Sequence, residues 1–267
     1  MREKKLQWLM AVSVISCLAW VGGLAWTLQH YWSDPAPMEK ATAAAASPAP
    51  EPVPAPEAED GSFRILALGD SLTRGTGDPD GKGYVGYALD RLKEKEKQEI
   101  VVDNFGVNGQ TSPQLAELLQ KNEVQAKVKA ADVILVSIGG NDLFRGGQTL
   151  ADLDAAKIKE IEDAYMSKLH AILKQLRSGN ESAKILLIGL YNPFIDLKDT
   201  AAATTKIVRD WNYKASEAAA QYPLTVAVPT FDLFQLKIQD YLARDLFHPN
   251  AAGYRLIGDR VAALITG

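Results

Sequence analysis

Four short segments of the chain carry side chains that together could cleave an ester bond. They are residues 69–72 (GDSL), 104–112 (NFGVNGQTS), 139–142 (GGND) and 245–249 (DLFHP). A serine hydroxyl becomes a good nucleophile when a neighbouring imidazole takes its proton. Attack on an acyl carbonyl also needs fixed N–H donors where negative charge develops. The segments supply a serine, a histidine beside a carboxylate, and amide and glycine N–H groups, so each can provide one part of this chemistry.

Short apolar runs alternate with longer helical patterns after residue 61, and this alternation predicts the elements that position the four segments. The strand candidates are residues 63–68, 100–103, 133–138, 185–190 and 226–228. The helix candidates are residues 84–97, 113–129, 155–177, 204–222 and 251–265. The strand candidates are apolar on both faces, as parallel strands between helices are. We therefore predict an α/β fold, a doubly wound sandwich with about five parallel strands.

The four segments are expected to meet at one edge of this sheet. Residues 69–72, 104–112 and 139–142 follow the first, second and third strand candidates in turn. Residues 245–249 lie in the loop that enters the last helix. In open parallel sheets the ligand site forms beyond the carboxyl ends of the strands, so we place the site there.

In order and approximate spacing, the four segments resemble blocks I, II, III and V of the SGNH (GDSL) hydrolase superfamily. The resemblance covers about residues 63–265. One tetrapeptide is a moderate signal, but four blocks in the same order are a strong one. The resemblance implies the flavodoxin-like SGNH hydrolase fold and the activity of a GDSL-type esterase or lipase.

The resemblance also implies roles for five residues. Ser71 would be the nucleophile, and His248 the general base oriented by Asp245. The backbone N–H groups of Ser71 and Gly109 and the side-chain amide of Asn141 would form the oxyanion hole. The residue types agree, because an asparagine amide can donate to an oxyanion and a glycine lets the backbone approach a ligand. A carboxylate three residues before a histidine can fix its tautomer.

Other residues of these segments have structural interpretations. Gly106 is an alternative to Gly109 as the oxyanion donor, but we expect it in a tight turn. Asn104 is expected to tie loops together through its side chain. Asp70 and Asp142 are expected to accept hydrogen bonds from loop backbone.

His248 is the histidine best placed in the sequence to act as a base. His30 flanks an apolar segment, and His170 lies in the middle of a predicted helix without an acidic loop motif beside it. Residues 191–193 (YNP) follow the fourth strand. They either shape the substrate pocket or form an ordinary turn.

Some loops resemble cofactor or metal sites but do not have the residues that such sites need. Residues 75–77 (GTG) follow a strand as a dinucleotide loop does, but Asp78 and Asp80 would repel a pyrophosphate. The calcium-loop pattern that starts at Asp78 breaks at Lys82 and Leu89, which replace ligands. We expect no cofactor and no metal. The G-x-S-x-G elbow of α/β-hydrolases is also absent, which favours the SGNH fold.

The first sixty or so residues do not have the pattern of a globular domain. Residues 6–28 are 23 residues without a charged side chain, enough to cross a bilayer core of roughly 30 Å. Basic residues precede them, so the positive-inside bias places the N-terminus in the cytoplasm. We predict a retained transmembrane anchor within residues 1–32 and an extracellular catalytic domain. Signal cleavage near residues 23–25, giving a secreted protein, and lipidation of Cys17 are the alternatives.

Residues 33–61 are predicted to be a linker, and residues 62–267 a single SGNH hydrolase domain. The linker holds seven of the thirteen prolines, which favour extended polyproline II and cannot build a core. Cys17 is the only cysteine, so an intramolecular disulfide is impossible. The formal net charge of −4 argues against a nucleic-acid partner. The expected partners are an ester substrate and the membrane.

We predict an extracellular, membrane-tethered serine esterase that cleaves carboxylic esters through an acyl-enzyme at Ser71. The alternatives are a lysophospholipase or thioesterase acting on long acyl chains, and an O-acetylesterase of cell-wall glycans. A non-catalytic cell-wall binding module is an alternative of another class, although a pure binder does not need Ser71, Asn141 and His248 together. Superfamily members act on acetylated polysaccharides, short esters, thioesters and lysolipids, and the fold does not choose among them.

Overall fold

A five-stranded parallel sheet is the centre of the protein. The computed structural model describes residues 61–95 and 98–266. The strands are β1 (Phe63–Gly69), β2 (Ile100–Gly106), β3 (Val133–Ser137), β4 (Lys184–Ile188) and β5 (Thr225–Val228). Their spatial order is β2-β1-β3-β4-β5, and every neighbouring pair is parallel. This is the flavodoxin-like doubly wound order, so the predicted fold class is confirmed.

Helices cover both faces of the sheet. They are α1 (Ser71–Arg74), α2 (Gly83–Lys93), α3 (Ser112–Leu118), α4 (Asn122–Ala130), α5 (Gly140–Phe144), α6 (Ala155–Gly179), α7 (Ala201–Ala220), α8 (Phe231–Phe234), α9 (Ile238–Tyr241) and α10 (Ala251–Thr266), with a 3₁₀ segment at Arg145–Ala151. Helices α3, α4, α6 and α7 pack on one face, whereas α2 and α10 pack on the other. Alternate side chains of each central strand therefore enter two separate hydrophobic cores.

The burial of the strands explains their sequence pattern. β3 is buried along its whole length, and β1 and β4 become fully buried after their first residues. The outer strands β2 and β5 are partly exposed because each has only one neighbour. In β1, Leu66 faces one core and Ile65 the other, which is why the run reads as apolar without alternation.

Two local predictions are wrong. The single helix predicted at residues 113–129 is two helices, because Lys121 has an extended backbone with ψ of 130°. Gln175 of α6 donates to Leu119 O at 2.9 Å, and so satisfies a carbonyl that a continuous helix would use. Gly106 ends β2 rather than forming a turn, and a Cβ there would lie 2.4 Å from Arg74 N.

The predicted membrane segment at residues 6–28, and the linker apart from Gly61, lie outside the described residues and stay predictions. Within residues 61–95 and 98–266, none of the helices has the length and apolar character needed to span a membrane.

The turn after β1 is set by glycine. Gly69 has a φ of +135°, and a Cβ on it would lie only 2.0 Å from Ser137 O of β3. Asp70 N donates to the same carbonyl at 3.0 Å. Only glycine fits this contact, and it directs the chain into α1 at the carboxyl edge of the sheet.

Candidate active site

Ser71, His248 and Asp245 are hydrogen-bonded in series at the carboxyl edge of the sheet. Ser71 Oγ lies 2.9 Å from His248 Nε2, and His248 Nδ1 lies 2.6 Å from Asp245 Oδ2. One ring nitrogen can therefore take the serine proton while the other donates to the carboxylate. The fold brings together a serine and a histidine that are 177 positions apart in the chain.

Ser71 is the first residue of α1. Asp70 is the N-cap of this helix, and its side chain accepts from Leu72 N at 3.0 Å. Gly75 ends the helix with a φ of +89°, so α1 is a single short turn. Because Ser71 opens the helix, its backbone N–H has no intrahelical acceptor and can donate to a developing oxyanion.

The loop that carries His248 is held by its own backbone and by a tyrosine. Asp245 Oδ1 accepts from the N–H groups of Phe247 and His248, both at 3.0 Å. Ala243 N donates to His248 O at 2.8 Å, and Tyr191 Oη donates to Phe247 O at 2.6 Å. These bonds fix the imidazole relative to both its partners.

Asp245 is the ionised member of this series at neutral pH. Burial acts to raise its pKa, but the hydrogen bonds from the His248 side chain and from two backbone N–H groups outweigh burial and lower the pKa. The Asp245 carboxylate is therefore negatively charged throughout the pH range above the usual pKa of an aspartate. In this state it can hold the Nδ1–H tautomer of the imidazole and stabilise an imidazolium.

Gly109 and Asn141 supply the remaining donors. Gly109 has a φ of +74°, and apart from its chain neighbours no residue has an atom within 4 Å of the position a Cβ would take, so its backbone is open to a ligand. Asn141 is the second residue of α5 and donates one amide hydrogen to Gln110 O at 2.9 Å. The amide has a second hydrogen, which can serve an oxyanion.

All five predicted site residues line one cleft of about 660 Å³. Its other walls are mainly apolar and come from the loop after β4, from α9 and from the loop between α9 and α10. They include Pro193, Phe194, Leu197, Ile238, Leu242, Leu246 and Phe247. A smaller cavity of about 40 Å³ adjoins the same catalytic side chains and is lined in part by Asp70, Gly140 and Tyr191.

The secondary expectations for the motif residues are largely confirmed. Asn104 Nδ2 donates to Thr73 O at 2.9 Å, so Asn104 ties β2 to α1. Asp142 accepts from both the N–H and the hydroxyl of Ser112, and so joins the third segment to the second. Asp70 caps α1 through Leu72 N. Tyr191 does more than line a wall, because its hydroxyl also holds the histidine loop.

Two residues that support the site were not predicted from the sequence. Tyr254 of α10 is fully buried and donates to Thr76 O at 2.7 Å, which ties the last helix to the turn after Ser71. Ser137, at the end of β3, donates to Asp70 Oδ1 at 2.7 Å. Neither lies in a recognisable motif. The position of Ser137 at a strand's carboxyl end was the one available signal.

Among the described residues, His, Cys, Asp and Glu side chains form no cluster of three or more that could hold a metal ion.

The fold and the site together define a class of protein, a serine hydrolase on a flavodoxin-like sheet. Residues 67–256 match the GDSL-like lipase/acylhydrolase family. The chain belongs to this family and is an ester-cleaving hydrolase, and the predicted superfamily is confirmed.

Three known proteins illustrate the relationship. Protein YpmR of Bacillus subtilis (strain 168) is 36% identical over 201 residues, 74% of this chain and 79% of YpmR. Spore germination lipase LipC of Bacillus licheniformis is 28% identical over 215 residues, 76% of this chain and 96% of LipC. The crystal structure of lipase Lip_vut3 from a goat rumen metagenome superposes with a TM-score of 0.69, at 24% identity, over 76% of this chain and 97% of that one.

Removal of the Asn141 amide should slow the reaction more than it weakens binding. We expect Asn141→Ala to lower kcat by about 10²–10³ with little change in KM, because an oxyanion donor acts mainly in the transition state. Steady-state kinetics on a soluble ester measure both. Asn108 lines the same cleft and accepts from Thr76 Oγ1 at 2.6 Å, so Asn108→Ala is the matched control. Equal, modest losses in both variants would contradict the assignment.

Proposed function

We propose that the protein is a serine esterase that cleaves carboxylic esters through an acyl-enzyme at Ser71. The observation that supports this most directly is the Ser71–His248–Asp245 hydrogen-bonded series in a cleft that also contains Gly109 and Asn141. A binding module has no use for this arrangement, whereas an acyl transferase or hydrolase needs each part.

In the first half of the reaction, Ser71 Oγ attacks the ester carbonyl carbon while His248 Nε2 takes the hydroxyl proton. The carbonyl oxygen becomes an oxyanion and accepts from the N–H groups of Ser71 and Gly109 and from the Asn141 amide. Asp245 stabilises the imidazolium that forms. The tetrahedral intermediate then collapses, and His248 gives its proton to the departing alcohol, which leaves an acyl ester on Ser71.

In the second half, a water molecule attacks the acyl-enzyme. His248 takes a proton from this water, and the same three donors hold the new oxyanion. Collapse releases the carboxylic acid and returns the proton to Ser71 Oγ. The groups that serve the first half therefore serve the second without rearrangement.

The cleft walls support a substrate with an acyl chain longer than acetyl. Phe194 and Phe247 contact each other with ring centroids 5.9 Å apart, and Leu197 and Leu246 extend the apolar surface to the mouth. An alkyl chain gains about 0.8 kcal/mol for each CH₂ that it buries in such a surface. The relative LipC is a lipase by name, which agrees with this preference.

We also propose that the protein is anchored to the membrane by residues 6–28, with its catalytic domain outside the cell. The uncharged run of 23 residues, its basic flank and the proline-rich linker support this placement.

Replacement of the nucleophile should abolish turnover. We expect Ser71→Ala to lower kcat by roughly 10⁴-fold or more on any ester, because the serine and its base act as a unit. A fluorophosphonate probe should label the unmodified protein at Ser71 alone, as mass spectrometry of its peptides would show. Labelling of another serine, or near-normal turnover by the variant, would remove Ser71 from this role.

Acyl-chain preference distinguishes the substrate classes. On p-nitrophenyl esters from C2 to C16, kcat/KM should rise beyond acetate, because longer chains bury more apolar surface. Leu197→Asp should reduce this rise. Leu224 is similarly exposed, but it directly precedes β5 and so lies at the amino end of the strands, away from the cleft. Leu224→Asp should therefore leave the rise in kcat/KM unchanged. A maximum at acetate, with release of acetate from acetylated glycans, would instead indicate an O-acetylesterase.

The anchor predicts where the protein is found. The full-length chain should fractionate with membranes, and protease added to wall-less cells should release the domain by cutting within residues 33–61. Deletion of residues 1–61 should give a soluble enzyme of unchanged kcat. A mature protein free in the medium, beginning near Trp26, would show that the segment is a cleaved signal peptide.

A further inference from the structure

Asp70 is a carboxylate beside the nucleophile that the reaction described above leaves without a role. Its side chain is 6% exposed. Leu72 N and Ser137 Oγ both donate to Oδ1, at 3.0 and 2.7 Å. These bonds fix the carboxylate between α1 and the end of β3, directly before Ser71 in the chain.

The other carboxylate oxygen, Oδ2, lies near Gly140 at the start of α5. A Cβ built on Gly140 would lie 3.9 Å from Asp70 Oδ2. Asp70 and Gly140 line the small cavity of about 40 Å³ together with Ser71, Asn141 and His248. The carboxylate and the imidazole therefore line the same small cavity, where partial burial lets charges interact more strongly than in water.

His248 interacts electrostatically with Asp70 and acts to lower the pKa of its carboxyl. The other titratable groups around Asp70 are tyrosines from α2, α6, α10 and the loop after β4. They are Tyr84, Tyr165, Tyr254 and Tyr191. Burial raises the pKa of each, so all four remain neutral while the enzyme works.

The protonation of Asp70 changes within an accessible pH range. Burial raises the pKa of this carboxyl to about 6, although the hydrogen bonds from Ser137 and Leu72 act in the opposite direction. Above pH 6 the group is an anion that can stabilise a positive charge on His248. Below pH 6 it takes a proton and that stabilisation is lost.

We propose that Asp70 is a positioning residue whose ionised carboxylate acts with Asp245 to stabilise the His248 imidazolium during attack by Ser71. This inference rests on the proposed function, in which Ser71 and His248 exchange a proton. Efficient turnover then requires a neutral imidazole and an ionised Asp70. As the pH is lowered, protonation of Asp70 should therefore lower the activity in part, in addition to the loss caused by protonation of the imidazole.

The test is the pH dependence of kcat/KM for the full-length enzyme and its Asp70→Asn variant. An asparagine oxygen can still accept from Leu72 and Ser137, so the change removes mainly the charge. The ratio of kcat/KM between the unmodified enzyme and Asp70→Asn should be about 3- to 30-fold at pH 8 and should fall towards 1 below pH 6, because Asp70 becomes protonated in the unmodified enzyme. The profile of Asp70→Asn should lack this extra loss at low pH, so its acid limb should lie at lower pH than that of the unmodified enzyme.

Ser137→Ala provides a second, independent variant if Asp70→Asn does not fold. The bond from Ser137 holds the pKa of Asp70 down, so its loss should move the acid limb to higher pH. Glu162 of α6 is also 6% exposed but is paired with Lys214 away from the cleft. Glu162→Gln, the matched control for removing a buried carboxylate charge, should leave the profile unchanged.

The outcomes separate this inference from the proposed function. A kcat/KM ratio to Asp70→Asn that does not change with pH, an unaltered profile in Asp70→Asn, or no upward shift in Ser137→Ala would overturn the role of Asp70. If Ser71→Ala is inactive in the same assay, the proposed function survives that result. If Ser71→Ala retains activity, the proposed function itself fails.

Discussion

The close contact between the ends of β1 and β3 is the constraint on which the site depends. Gly69 leaves no space for a Cβ against Ser137 O, and Asp70 N donates to that carbonyl. The chain therefore turns at once into α1, and Ser71 begins a helix at the edge of the sheet. β1 lies between β2 and β3, so Gly109 in the loop after β2 and Asn141 in α5 after β3 reach the same crevice from either side.

The base comes from the far end of the chain and is held by buried tyrosines. Tyr254 donates to Thr76 O, and Tyr191 donates to Phe247 O. A buried tyrosine hydroxyl needs an acceptor, and a loop carbonyl needs a donor, so each bond satisfies two groups and fixes a loop. Because burial raises the pKa of both tyrosines, they stay protonated donors at any pH at which the enzyme works.

The sequence was sufficient to predict the features of the fold and the site that depend on local pattern. Apolar runs and motif order were enough for the sheet, the carboxyl-edge site and the identity of Ser71, Asn141 and His248 as neighbours. Sequence patterns did not predict features that depend on distant contacts. Gln175 of α6 donates to Leu119 O where α3 ends, and no periodicity near residue 120 contains that information. The roles of Ser137 and Tyr254 were also hidden, because each depends on a partner more than 60 positions away.

The site contains two aspartates whose surroundings move their proton affinities apart. Asp245 is partly exposed, and its hydrogen bonds outweigh burial, so its pKa falls. Asp70 is buried beyond what Ser137 and Leu72 compensate, so its pKa rises to about 6. Such divergence is how one site assigns different tasks to chemically identical groups. Asp245 can hold the imidazole over the whole working range, whereas Asp70, in the role proposed for it, contributes its charge only above its own titration and so limits full activity at acid pH.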